Sequence, residues 1–142
     1  MLLPGFLDLI PDHVGKLLAR ILGWYPEGKH VILRVTEGEP NFFGTIVSGN
    51  IINIEHMCRT PSDPLNTTIS ILIQLDSPWH YSNRTTTVAT RIIVEPKFRN
   101  HSINRLIVGS MYVCVFPVIN QGMPFALSWE DMIAICDMKL TK

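Results

Sequence analysis

Asp76, Trp79, His80 and Tyr81 crowd one short stretch, Asp-Ser-Pro-Trp-His-Tyr. A carboxylate near an imidazole suits proton transfer, while Trp and Tyr offer large rigid areas for gripping a protein. The plainer alternative folds Trp79 and Tyr81 back over the end of a sheet. His56 and Cys58 stand at i and i+2, hence on one face of a strand, with Glu55 on the other. A thiolate and an imidazole so placed could act as nucleophile and base, or as two zinc ligands. No second ligand pair follows at metal spacing, so the reading adopted is a buried Cys beside a rim His, with no metal expected. Lys97, Arg99, His101 and Arg105, with Arg84 and Arg91 nearby in sequence, form the one local basic concentration. Such a cluster meets acidic side chains or phosphate, and a solvated hairpin tip is the ordinary alternative.

The patterns that most enzymes need are missing from this sequence. It contains no CxxC pair, HExxH, phosphate loop, dinucleotide glycine pattern or GxSxG elbow. No cofactor is therefore expected. Acidic and basic residues balance at twelve each, which removes any general electrostatic reason to bind a polyanion. Charged residues make up only 17 % of the chain, which suggests a surface partly covered by a partner or by a second copy. Cys58, Cys114 and Cys136 are odd in number and widely spaced, which fits buried thiols in a reducing compartment, and the expected location is cytoplasmic. Asp8, Asp12, Pro4 and Pro11 interrupt the apolar N-terminus, making it a poor signal peptide, and no run reaches the roughly eighteen apolar residues that a membrane span needs.

These side chains must be held by a mainly β framework. Its centre is Thr86 to Ile119, read as two strands, Thr86–Glu95 and Leu106–Ile119, joined by the charged connector 96–105; β-branched and aromatic residues dominate both arms. Both faces of the second arm are apolar, so it is central or its second face is covered. Ahead of this hairpin, Ile69, Ile71, Ile73 and Leu75 alternate cleanly within Thr67–Asp76. Val31, Leu33 and Val35 alternate after Lys29, Phe42–Ser48 contains Gly44, Ser48-Gly49-Asn50 reads as a turn, and Ile51–His56 as a further strand. Ser77–Thr85 reads as a polar loop. At the N-terminus, Val14, Leu17, Leu18, Ile21, Leu22 and Tyr25 predict an amphipathic helix capped by Asp12 and ended by Gly23 and Pro26. Met132–Leu140 fits a short strand closing a barrel, or a helix begun at Ser128; the strand is preferred because a closed barrel leaves no edge unpaired.

The order helix, strand, turn, strand with an internal Gly, turn, strand, over about Asp12 to Glu55, is similar to the first half of Sm-like and other SH3-type small barrels. The Asn53 region departs by one residue from the Sm pattern, and no RNA-binding residue is carried over. The whole chain of 142 residues is expected to be a single domain, with residues 1–28 as arm and helix and 29–142 as barrel. The fold expected is mainly β: a small, bent five- or six-stranded SH3-like barrel with the N-terminal helix packed on it. The function expected is a non-enzymatic protein-binding module, a bacterial adaptor or an inhibitor of the immunity type, contacting its partner through Trp79, His80, Tyr81, Arg84, Lys97, Arg99, His101 and Arg105. A homodimer is a further expectation, and membrane or nucleic-acid partners are not favoured. Two alternatives stay open: a hydrolase or transferase using His80 or His56 with Asp76 or Cys58, and a nucleotide or nucleic-acid binder using the basic connector 97–105.

Overall fold

A computed structural model describes residues 26–38, 44–60, 63–81, 88–98, 103–118 and 132–141, with backbone alone for 56–60 and 63–68. The six strands are β1 (His30–Glu37), β2 (Ile46–Thr60), β3 (Asp63–His80), β4 (Val88–Pro96), β5 (Ser110–Pro117) and β6 (Ala134–Leu140), and one short helix, α1 (Ile103–Val108), lies between β4 and β5. Each strand pairs antiparallel with the next, and β6 returns to β1, so the sheet closes into a barrel. The strand preferred for the C-terminus is the element that closes it. The expected N-terminal helix lies outside the described residues.

Alternation places the interior. Leu33, Ile51, Ile71, Ile73, Ile92 and Met138 are wholly buried, and Met111 is 1 % exposed. Side chains fill the barrel, as expected for a small closed sheet. The clean alternation of β3 holds, with Ile69, Ile71, Ile73 and Leu75 all buried. A second buried group faces the other way: Ile93 pairs with Phe116 and Glu95 with Cys114, on the side of β4 and β5 opposite the interior, and all four are buried. The doubly apolar arm seen in the sequence is therefore a strand covered on both faces from Cys114 to Phe116, while Tyr112 on its outward face stays exposed. Glu95 accepts a hydrogen bond from Ser70 Oγ at 3.2 Å.

Three segments depart from the sequence reading. Ser48-Gly49-Asn50 is not a turn but the middle of β2, which runs without a break from Ile46. Gly49 is there because the backbone of β3 passes too close for a side chain, whereas Gly44, at φ 81°, makes the bend that leads into β2. Ser77–Thr85 is not wholly loop, since β3 continues to His80 and absorbs Ser77 and Pro78 in a register irregularity between Gln74 and Trp79. Leu106 does not begin a strand. Residues 103–108 are helical, Gly109 N–H donates to the Arg105 carbonyl at 3.1 Å, and the strand starts at Ser110. Ile103 and Leu106, three apart, turn the same helical face inward and join the core cluster. Among the described residues, no helix is long and apolar enough to cross a membrane.

Candidate functional site

Chain closure brings together four polar side chains that are far apart in sequence. His30 opens β1, Ser48 lies on β2 across from Ile32, Asp76 follows the Leu75 that pairs with Gly49, and Thr141 follows β6. His30 Nε2 lies 2.6 Å from Asp76 Oδ2, Ser48 Oγ donates to the same oxygen at 2.7 Å, and His30 Nδ1 lies 3.0 Å from Thr141 Oγ1. Thr141 also ties β6 to β1, its backbone N–H and its hydroxyl each donating to the His30 carbonyl at 3.0 Å.

The order hydroxyl, imidazole, carboxylate is the connectivity that activates nucleophiles. Hydrogen-bond directions argue for a structural clasp instead. The carboxylate can only accept, so Nε2–H donates to Asp76; the Thr141 proton is directed at a backbone carbonyl, and Ser48 serves the carboxylate rather than the imidazole. The site is also open, with the His30 and Asp76 side chains 36 % and 44 % exposed. His30 first, then Ser48, hold the Asp76 carboxyl below its usual value of 3.8. A carboxyl lowered in the folded state contributes stability above the unfolded value and loses it as pH falls through the folded value. Urea unfolding from about pH 5 down to about pH 2 should therefore show the wild type losing a component that Asp76→Asn lacks, so that their difference shrinks with acid. A constant difference over that range would mean the carboxylate is not held by these donors.

Those of the expected contact residues that are described do not form one surface. Trp79 and Tyr81 are 4 % and 3 % exposed and belong to the core cluster, because β3 extends past Asp76 and turns both rings inward. His80 is exposed and pairs with Val88 at the start of β4. Lys97 follows the other end of that strand, roughly 30 Å away at about 3.3 Å per residue. There its Nζ meets Glu37 Oε1 at 3.3 Å and stands 5.5 Å from the Phe98 ring centre. Arg105 is exposed in the last turn of α1. Arg84, Arg99 and His101 lie outside the described residues.

The pairing of Asp76 with His80 or His56 is not the one the fold makes. Asp76 is bonded to His30 and to Ser48, while His80 lies beyond the irregularity between Gln74 and Trp79, opposite Val88. His56 pairs through its backbone with Ile69 and Cys58 with Thr67, so His56 lies across from a position roughly 23 Å along β3 from Asp76. Sequence reasoning singled out Asp76 but not His30, Ser48 or Thr141. The Thr141 contact spans 111 positions and the Asp76 contact 46, and no local spacing encodes either.

Cys114 and Cys136 are buried thiols outside any disulfide, as their spacing suggested. Burial, helped by the charge of Asp137 and by Cys114, pushes the Cys136 thiol up to about 12. A raised thiol stays protonated in the fold, so its contribution is present below the unfolded value of 9.0 and is lost as pH rises toward 12. Such a thiol is a core group and no nucleophile at neutral pH. Among the described residues, no three His, Cys, Asp or Glu side chains converge where a metal ion could sit. No family model matches the chain, and neither the curated proteins nor the solved structures compared with it contain a match.

Proposed function

We propose that the chain is a non-enzymatic protein-binding module built on an SH3-like barrel, of the adaptor or inhibitor kind, with the expected leading helix as its lid. The interior supports surface binding, since the described barrel positions are filled by buried Leu, Ile and Met side chains rather than arranged as the lining of a cup. One observation carries the choice of face. Just past β4 and at the end of α1, Phe98 (44 %) and Val108 (54 %) are exposed, with Lys97 and Arg105 near them in sequence. Apolar anchors ringed by cations suit a partner that presents acidic and apolar side chains together. His80, at the far end of β4, is left out of this surface.

The test is affinity capture with the full chain, quantified by mass spectrometry, comparing wild type with the double variant Phe98→Ser/Arg105→Glu and with His80→Ala. A true partner should fall about ten-fold or more with the double variant and remain with His80→Ala. If every captured species is indifferent to Phe98 and Arg105, the proposed face is wrong.

A further inference from the structure

The outer face across the seam of the barrel carries a row that is complementary to itself. Strand pairing aligns Ile46 on β2, Arg34 on β1, Asp137 on β6 and Tyr112 on β5. Their strand neighbours Leu33, Val35, Cys136, Met138, Met111 and Val113 belong to the interior, and Val47, next to Ile46, packs against it, so all four point outward. Ile46 is 65 % exposed and Tyr112 44 %. Arg34 is exposed and Asp137 is half-buried; its Oδ1 is buried and has no hydrogen-bond partner among the described residues. In one direction the row runs apolar, cation, anion, aromatic. Reversed and laid on itself, it sets cation on anion and apolar on aromatic.

We propose that this face is the interface of a two-fold homodimer. A two-fold axis lying in the interface, parallel to the strands and between Arg34 and Asp137, places Arg34 of one copy on Asp137 of the other, and Ile46 on Tyr112, with every contact made twice. A second copy fits better than an unrelated protein, because each group finds its complement in its own sequence and a net charge of zero sets no long-range repulsion between copies. The row is only roughly 14 Å long at strand spacing, which places the contact among weak, small interfaces. It uses none of the residues assigned to the protein-binding face and stands or falls separately from it.

Sedimentation of the full chain over a concentration series reads the result. Wild type should pass from one-chain to two-chain mass, and Arg34→Glu and Asp137→Arg should each weaken this about ten-fold or more. An equimolar mixture of these two variants should restore the two-chain species. The new acid of one then meets the new base of the other, while the unchanged Asp137 and Arg34 meet across the second contact. A folding defect cannot be repaired by mixing. Ile46→Asp, at the most exposed apolar position, should weaken the dimer without touching the charge pair. A wild type that stays monomeric, a dimer that survives both reversals, or a mixture that fails to recover would overturn the proposal.

Discussion

Replacing Gly49 by alanine is expected to destabilise the barrel by about 3 kcal/mol, at the upper end of overpacking costs. A Cβ at this position would collide with the Gln74 carbonyl oxygen and stand 2.9 Å from both the Gln74 carbonyl carbon and Ile73 Cγ2. Two of those three obstacles are backbone, and Gly49 is hydrogen-bonded into the ladder opposite Leu75, so neither strand can step aside alone. Relief requires β2 and β3 to part where they form the middle of the closed sheet. Gly44 provides the contrast. Nothing stands within 4 Å of a Cβ there, and only its φ of 81° penalises a side chain. Gly44→Ala should therefore cost about 1 kcal/mol, a conformational penalty without a clash. Urea midpoints at unchanged m-value measure both. Equal costs at the two positions would mean that β2 and β3 are not so close.

Phe116→Ala is expected to cost about 3–5 kcal/mol, as for any aromatic removed from a core. What makes this informative is the side of the strand on which Phe116 lies. It shares the outward face of β5 with Tyr112, four positions earlier, yet Phe116 is 2 % exposed and Tyr112 44 %. Tyr112→Ala should change monomer stability by no more than about 0.5 kcal/mol. The pair of denaturation curves thus tests whether the outer layer made by Ile93, Cys114 and Phe116 is a second apolar core. Matching small effects at both positions would mean that this face of β5 is bare.

How much of this was legible in the chain depends on how far each signal reaches. The alternation of Ile69, Ile71, Ile73 and Leu75 is local and period two, so it identified a strand and its buried face directly. The closing strand at 134–140 was favoured over a helix by an argument about edges, and the barrel needs it for that reason. Leu106 to Val108 looked like strand because they are apolar and β-branched or leucine. Helix and strand differ there only in whether Ile103 and Leu106 must reach one point in the interior, which is a matter of where the barrel mouth lies. Trp79 and Tyr81 looked like exposed anchors because polar residues surround them, and only the continuation of β3 turned them inward.

The residues by themselves determined the class of the protein, because β-branched alternation and turn residues act over a few positions and need no knowledge of what lies across the sheet. Tertiary structure alone decided that Gly49 marks a close crossing rather than a turn, that Asp76 answers to His30 rather than His80, and that Arg34 and Asp137 share a row. Those pairings are set by the register of strands brought together only when the barrel closes, and shifting a register by one residue would send each of these side chains to the opposite face.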